Sequence, residues 1–288
     1  MSAKGYVKRI PLEEYTVQNR GGVGSKSMTT YEDDDVEKIV TTNTHTDLLI
    51  FTSFGKVYRI RAHQVPEMSK QSKGVPFINL ISIEKDEKVI SLLSVDNYEQ
   101  GQYLFTVTRQ GVVKKTPLEE YSRINRNGKI ALGMREDDML IKAMIVSDID
   151  EIIIGSSKGK VVRFEASEAR SMGRTATGVK GIDLSDDLKS KVVGASKTTQ
   201  GKYILSVGQD GFGKMTEVNE YRMTKRGAKG VKSIDVEKAG YLKFVEVVNG
   251  SEDILIITKL GITIRTTLDQ VATSGRGAKG VKVISLKD

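Results

Sequence analysis

The sequence has no cysteine and no tryptophan, and histidine occurs only at His45 and His63. Without cysteine the chain cannot form disulfides or cysteine-ligated metal centres, and the scarcity of histidine argues against a zinc enzyme. Aromatic residues make up only 6% of the 288 residues, which argues against a protein that stacks single-stranded bases on aromatic rings. The composition fits a reducing cytoplasm, and we expect a cytoplasmic protein.

Long apolar runs are also missing. No run approaches the ~18 residues of a membrane span, and Met1-Ser2-Ala3-Lys4 leads directly into a strand-like segment instead of a signal peptide. There is no Walker loop, nucleophile elbow or metal-ligand cluster. We therefore expect a domain with no catalytic residue, no metal, no cofactor of its own and no contact with a membrane.

Positive charge is in excess, because 45 Lys and Arg residues oppose 37 Asp and Glu residues and leave a formal net charge of +8. Such an excess favours a polyanionic partner, above all nucleic acid. A soluble protein that is basic for no functional reason remains the alternative at this point.

Glycine recurs as a pair with a fixed internal spacing. The first members are Gly5, Gly55, Gly111, Gly159, Gly211 and Gly261, at intervals of 50, 56, 48, 52 and 50 residues. The second members are Gly24, Gly74, Gly128, Gly178, Gly230 and Gly280, 19 residues after the first in five cases and 17 in the third. Two landmarks that move together at a period near 50 residues indicate six structural repeats.

Each repeat has the pattern of a short antiparallel sheet. Apolar runs such as Leu48-Leu49-Ile50-Phe51 precede the first glycine and strand-like segments such as Lys56-Val57-Tyr58-Arg59-Ile60 follow it, which predicts a β-hairpin with glycine in the turn. A third strand is expected after the second glycine, over four residues as in Val179-Lys180-Gly181-Ile182, and a fourth about ten residues later. Four strands per repeat of about 50 residues are typical of a β-propeller blade.

We therefore predict an all-β fold with a single six-bladed β-propeller-like domain over residues 1–288, with blades starting near 5, 55, 111, 159, 211 and 261. Only four residues stand ahead of Gly5, where other repeats have a strand. Either the ring closes across the termini or the chain is an excerpt of a longer subunit, and the second interpretation is favoured.

Basic residues recur at fixed positions after the first glycine. The third or fourth position carries Lys8, Arg9, Arg59, Lys114, Lys115, Arg163, Lys214 and Arg265. A charge at one register of every blade would form a basic belt around the rim; alternatively, these charges protect strand edges from pairing with other chains.

The loops before the second glycines are basic too. They carry Lys70, Lys73, Arg123, Arg126, Arg174, Lys225, Arg226, Lys229, Arg276 and Lys279. Glycines beside arginines let backbone N–H groups and guanidinium forks approach phosphate oxygens together. We predict that the belt residues and Lys225, Arg226, Lys229, Arg276 and Lys279 form a DNA-binding rim.

The first repeat carries a further motif. Gly5-Tyr6-Val7-Lys8-Arg9, followed by Tyr15 and by Gln18-Asn19-Arg20-Gly21-Gly22-Val23-Gly24, resembles the C-terminal domain of the DNA gyrase A subunit. The last seven residues occupy the place of that family's box motif, usually Gln-Arg-Arg-Gly-Gly-Lys-Gly, and the similarity extends through all six repeats.

The resemblance implies a six-bladed β-pinwheel, a propeller variant whose blades exchange strands. It implies that the domain binds and bends double-stranded DNA around its rim without sequence specificity, so that the parent enzyme introduces negative supercoils. The box loop, Gln18, Asn19, Arg20, Gly21, Gly22, Val23 and Gly24, is implied to help close the DNA wrap. The implied partners are the gyrase B subunit together with the rest of the A subunit, whereas ATP and Mg²⁺ belong to the parent enzyme. The resemblance also implies a bacterial, nucleoid-associated protein, and the isolated domain is expected to be monomeric.

Two positions depart from the box pattern, because Asn19 replaces an Arg and Val23 replaces a Lys. The loss of two phosphate-binding charges would weaken DNA wrapping. It leaves the related C-terminal domain of topoisomerase IV as an alternative family assignment. A β-propeller that serves as a protein-interaction scaffold is the alternative from another functional class.

Overall fold

The computed structural model describes residues 1–14, 31, 34, 36–258 and 263–285. The box loop, residues 18–24, and the turn at Gly261 lie outside the described residues. The chain divides into two compact units, one formed by Met1–Tyr98 with Tyr121–Ala131 and the other by Glu99–Glu120 with Leu132–Asp288.

Strands dominate both units, as predicted. In chain order they are β1 (Tyr6–Val7), β2 (Asp47–Thr52), β3 (Lys56–Arg61), β4 (Val75–Pro76), β5 (Val89–Val95), β6 (Tyr103–Thr108), β7 (Val112–Pro117), β8 (Lys129–Ile130), β9 (Leu140–Val146), β10 (Glu151–Ser156), β11 (Lys160–Glu165), β12 (Val179–Lys180), β13 (Val192–Lys197), β14 (Tyr203–Gly208), β15 (Phe212–Glu217), β16 (Val231–Lys232), β17 (Leu242–Val248), β18 (Asp253–Ile257), β19 (Thr263–Thr267) and β20 (Val281–Lys282).

The predicted hairpins are confirmed. β2 and β3 pair antiparallel from Asp47 with Arg61 to Phe51 with Val57, and the turn between them has Gly55 at a φ of 73°. A positive φ is accessible to glycine at little steric cost, which explains why glycine marks this turn in every repeat. β2 is buried along its whole length, in keeping with its β-branched and aromatic composition and its central place in a sheet.

The short third strands leave their own repeat. The four-stranded sheet of the first unit has the order β5-β2-β3-β8, and β8 comes from the repeat that follows β2 and β3. The second unit has three sheets of the same design, ordered β9-β6-β7-β12, β13-β10-β11-β16 and β17-β14-β15-β20. Each of these sheets is thus completed by two residues of the next repeat, which is the strand exchange expected of a pinwheel.

The exchanged strands are shorter than the four residues expected from the sequence. β12 pairs only Val179 with Val113 and Lys180 with Val112. Pairing stops after Lys180 because β7 begins at Val112 and Gly181 lies opposite the turn residue Gly111, to whose carbonyl oxygen the Gly181 N–H donates at 2.8 Å. Farther along the same edge Lys115 forms a parallel bridge with Ser171, so a loop and a strand of the following repeat share this edge.

The second glycine fits closely against that edge. A Cβ atom on Gly178 would lie 2.3 Å from the carbonyl oxygen of Val113, and Gly178 has a φ of 110°. Any other residue here would collide with the backbone of the neighbouring strand. The second glycine is therefore required for the contact between consecutive repeats as well as for its own turn.

Short 3₁₀ turns follow the second hairpin strand, a feature that the sequence did not predict. These turns are Leu12–Glu14, Ala62–Gln64, Leu118–Tyr121, Ala166–Glu168, Val218–Glu220 and Leu268–Gln270; two more lie at Phe77–Asn79 and Thr198–Gln200, and one turn of α-helix, α1, lies at Val236–Ala239. Single turns leave too little periodicity in a sequence to be recognised. The described part of the chain has no helix long and apolar enough to cross a membrane.

Each unit has its own hydrophobic core. In the first unit, Leu48 and Ile50 of β2 pack with Tyr58, Ile60 and Phe77. In the second unit, one cluster gathers side chains of the hairpins β6–β7 and β10–β11, including Phe105 and Phe164, whose ring centroids are 6.3 Å apart. The apolar alternation of the hairpins thus builds a core between successive sheets of that unit, and their polar strand ends are left for other contacts.

Candidate nucleic-acid interface

The cations of the second hairpin strand were expected on the rim, but the structure turns them toward the next repeat. Arg59 on β3 donates to the carbonyl oxygens of Ile124 at 2.9 Å and Ser122 at 2.5 Å, and to Asp47 at 3.3 Å. Arg163 on β11 donates to the carbonyls of Val218 and Tyr221 and to Glu151. Guanidinium groups with several fixed acceptors have little left to offer a phosphate.

Arg9, Lys115 and Arg265 occupy the same register and have carboxylate partners. Arg9 pairs with Glu67 at 2.6 Å and Lys115 with Asp148 at 2.5 Å. Arg265 binds Asp253, and its side chain is 60% exposed, so it is the one of these three most open to a ligand. We call Arg9, Arg59, Lys115, Arg163 and Arg265 the strand cations; their recurrence largely reflects contacts that join a hairpin to its partner strand or to the following repeat.

Lys114 and Lys214 require a clear correction. They were expected to contact DNA, but their side chains are 1% and 0% exposed. Lys214 donates from Nζ to the carbonyl oxygens of Gly275 and Arg276, both at 2.6 Å, and Lys114 does the same to Gly173 and Arg174. Lys115 is only 4% exposed. Because solvent has almost no access to these three lysines, they cannot contact a phosphate directly.

Burial also alters the ionisation of these lysines. Desolvation lowers the pKa of Lys114 to about 7, although Glu120 opposes the shift. Desolvation lowers the pKa of Lys214 to about 8, with Glu220 acting in the opposite direction. Lys8 of the first repeat makes equivalent contacts, from Nζ to the carbonyls of Ser69, Lys70 and Ser72, in a partly exposed position.

The remaining predicted cations lie in five loops that precede a second glycine, residues 66–74, 122–128, 170–178, 222–230 and 272–280. We call these the basic loops. Every cation predicted there is at least partly exposed, namely Lys70, Lys73, Arg123, Arg126, Arg174, Lys225, Arg226, Lys229, Arg276 and Lys279. Of the cations singled out from the sequence and lying in the described residues, this group, together with Arg265, is the most open to a polyanion.

In the second unit the basic loops 222–230 and 272–280 each lie against the exchanged strand of the preceding repeat. Arg226 donates to the carbonyl oxygen of Lys180 at 2.5 Å, and the Gly227 N–H donates to Gly181 at 2.8 Å. One repeat later, Arg276 donates to the carbonyl oxygen of Lys232 at 3.2 Å. Successive loops and exchanged strands therefore adjoin one another, which brings their cations to one continuous edge of this unit.

Sequence reasoning missed three exposed lysines at this edge. Lys180, Lys232 and Lys282 each stand two residues after a second glycine and are exposed. Their regular position after Gly178, Gly230 and Gly280 was a signal that could have identified them. They add one cation per exchanged strand in the last three repeats.

Carboxylates reduce the positive charge locally. Asp186 binds Lys229 at 2.5 Å and Lys160 at 2.9 Å, and hydrogen bonds from these two lysines lower the pKa of Asp186 to about 2. At neutral pH Asp186 is therefore fully ionised and competes with any phosphate for Lys229. Within the described residues no cluster of three or more His, Asp or Glu side chains could hold a metal ion.

Comparisons with known proteins agree with this architecture. The family model of the DNA gyrase C-terminal domain, beta-propeller, matches six consecutive segments, residues 1–43, 46–96, 102–147, 150–199, 202–249 and 252–288. The fold predicted from the sequence, an all-β propeller with six repeats, is thereby confirmed.

Named relatives and solved structures give the same result. Over its whole length the chain is 49% identical to the DNA gyrase A protein of Ureaplasma parvum, and it covers 34% of that protein. It is 25% identical to a solved C-terminal domain of DNA topoisomerase IV, with a TM-score of 0.84 over 99% of this chain and 87% of the other. It is also 25% identical to a solved C-terminal domain of DNA gyrase A, with a TM-score of 0.75 over 100% of this chain and 94% of the other.

The chain spans about a third of the length of the curated relatives it matches. Because the family model covers nearly all of it in six repeats, this chain belongs to the family of DNA gyrase C-terminal β-propeller domains.

Proposed function

We propose that this chain binds double-stranded DNA through the exposed cations of its basic loops and exchanged strands and bends it without sequence specificity. The observation that carries the proposal is the recurrence of exposed Lys and Arg in all five described basic loops. The strand cations contribute mainly by fixing the scaffold on which those loops stand.

The physical requirements of DNA bending favour this arrangement. Duplex DNA carries one charge per ~1.7 Å of axis, and bending 20–30 base pairs by 40–90° costs on the order of 1–6 kcal/mol. Many phosphate contacts along a curved path can offset this cost without any contact to base edges. Repeated loops that each present two or more cations supply such contacts at regular intervals.

The role of the whole protein follows from the family. We propose that the chain is the non-catalytic, DNA-wrapping part of a bacterial type II topoisomerase of the gyrase kind, active in the cytoplasm at the nucleoid. Its partners would be the gyrase B subunit together with the rest of the A subunit, with ATP and Mg²⁺ used elsewhere in the enzyme. The box loop, residues 18–24, is proposed to contact the DNA at one end of the wrap.

A salt series with labelled duplex tests the proposal. The affinity should fall steeply with salt, because each neutralised phosphate contributes about −0.9 to the slope of log K against log salt. Duplexes of unrelated sequence should bind alike. An affinity that stays flat between low and moderate salt would contradict the proposal and favour a protein-interaction scaffold.

Topoisomerase IV supplies a second candidate role, favoured by the higher TM-score of its C-terminal domain, 0.84 against 0.75. Plasmid relaxed by a nicking-closing enzyme in the presence of the chain would separate the two. A gyrase-like wrap should leave a positive change in linking number. Tight binding without such a change would favour the topoisomerase IV role.

A further inference from the structure

Two kinds of contact hold the basic loops, and they alternate along the chain. Three residues after the first glycine, the hairpin strand carries Lys8, Lys114 and Lys214 in the odd repeats, and Tyr58, Val162 and Ile264 in the even ones. Each of these lysines lies against the basic loop of the next repeat, residues 66–74, 170–178 or 272–280. We call these the lysine-held loops.

The other basic loops begin with a buried tyrosine instead. Tyr121 and Tyr221, 0% and 1% exposed, stand where the lysine-held loops have the smaller Val65, Ala169 and Val271. These loops receive hydrogen bonds from Arg59 and Arg163 on the facing hairpins. A buried ring thus precedes one class of loop, whereas a lysine amino group binds the backbone of the other.

The lysine contacts are equivalent from loop to loop. Each ammonium group binds the carbonyl oxygens of the residues five and four positions before the second glycine: Ser69 and Lys70, Gly173 and Arg174, Gly275 and Arg276. The residue four positions before that glycine is a cation in all three loops. Its carbonyl oxygen is therefore held by a lysine amino group, which is buried for Lys114 and Lys214 and partly exposed for Lys8. Its own side chain is at least partly exposed.

Two of these loops have uncovered backbone. A Cβ atom on Gly173 or Gly277 would meet nothing within 4 Å, so no other part of the chain covers the backbone beside Arg174 and Arg276 at these points. The buried Lys214 amino group, with a pKa of about 8, is mostly protonated at neutral pH and adds positive potential beneath its loop, where water screens it weakly. The loop 272–280 thus combines held backbone carbonyls, uncovered backbone and two positive charges, Lys214 and Arg276.

Resting on the proposed DNA-binding function, we infer that Lys8, Lys114 and Lys214 are positioning residues. Their ammonium groups hold the lysine-held loops in the conformation that presents Lys70, Arg174 and Arg276 to DNA phosphates, and they do not touch the DNA themselves. Buried ionic groups often specify a conformation without adding stability, and replacement by an apolar side chain is often neutral or stabilising.

The substitution Lys214→Met tests this inference, because the equivalent positions of even repeats already hold apolar residues. We expect amide hydrogen exchange to rise in residues 273–280 alone, while the free energy of unfolding stays equal to that of the wild type or increases. The Kd for duplex DNA should rise about tenfold at fixed salt. Lys243→Met, which removes an exposed lysine outside the basic loops, is the control for simple loss of charge.

A merely structural lysine would behave differently, since stability and DNA affinity would fall together. That outcome would overturn the inference. It would also be overturned if hydrogen exchange in residues 273–280 were the same in Lys214→Met and the wild type, or if the wild type bound DNA and the variant had the same Kd. If Lys214→Met does not fold, Lys114→Met with exchange followed in residues 170–178 replaces it, and failure of both variants to fold also overturns it. A wild type without DNA affinity would overturn the proposed function, and loop exchange would then still decide whether the lysine orders the loop.

Discussion

The strand cations and the cations of the basic loops have the same chemistry but different surroundings. Arg163 is 13% exposed at its side chain and donates to two backbone carbonyls and a carboxylate, whereas Lys225 stands exposed in a loop. The strand cations recur at a strict register, and the loop cations vary in number and spacing. For these two groups, strict recurrence accompanies contacts that fix the scaffold and looser recurrence accompanies exposed charge. Lys180, Lys232 and Lys282 are both regular and exposed, so register alone does not separate the two roles.

The substitution Arg163→Met tests this comparison and should have the largest effect of the variants considered, a loss of folding stability. The variant loses four charge-assisted hydrogen bonds, two to backbone carbonyls and two to Glu151. It also leaves Glu151 without its guanidinium partner, so the free energy of unfolding should fall by about 3 kcal/mol. Urea denaturation measures it. Arg222→Met, an exposed neighbour, should change stability by less than about 0.5 kcal/mol. Equal losses in the two variants would remove the distinction between the two groups.

The converse test removes loop charge. The double variant Lys225→Ala with Lys279→Ala should leave the urea midpoint unchanged, since both side chains are exposed. Its Kd for duplex DNA should rise about tenfold, or 1.4 kcal/mol. The slope of log K against log salt should become less steep by about 1.8, twice the contribution of one phosphate contact. A slope equal to that of the wild type would place the DNA on another surface.

The buried lysines Lys114 and Lys214 should make the folding stability depend on pH. The pKa is lowered to about 7 for Lys114 and about 8 for Lys214, from a usual value of 10.5. At a pH between the lowered pKa and the usual one, each of these lysines binds more protons in the unfolded chain than in the folded one. The free energy of unfolding should therefore rise as the pH increases from about 7 to 10. Urea midpoints at pH 7 and 9 measure this rise. The double variant Lys114→Met with Lys214→Met should show a smaller rise, and a rise of full size would contradict the assignment.

The smallest effect is expected from Asp186→Asn. The substitution releases Lys229 and Lys160 from their carboxylate partner, so the affinity for duplex DNA should increase about twofold at low salt and less at high salt. Fluorescence anisotropy with a labelled duplex can resolve such a change. Glu237→Gln removes an exposed carboxylate that has no loop lysine as partner in the described structure, and it should have a smaller effect. Equal gains would indicate that only net charge matters.

Local chemistry determined what the sequence could predict. The hairpins were predictable because Gly55 and its equivalents need a positive φ and their flanking strands are rich in β-branched residues. The role of Arg163 was not predictable. A sequence shows its charge, but it does not show that the side chain binds the carbonyl oxygens of Val218 and Tyr221, which are 55 and 58 residues away. The length of β12 was likewise hidden, since it depends on where the partner strand β7 begins, at Val112 directly after the turn.

The exchanged strands constrain how an array of this kind can change in number of repeats. β16 completes the sheet of β10 and β11, so deletion of the repeat that contains β16 would uncover the hydrogen-bonding edge of β11. An uncovered edge is a template for pairing with another molecule and a cause of aggregation. Loss or gain of a repeat is therefore tolerated only when the new neighbour supplies a matching two-residue strand, which makes the junction between repeats the unit on which evolution of the array must act.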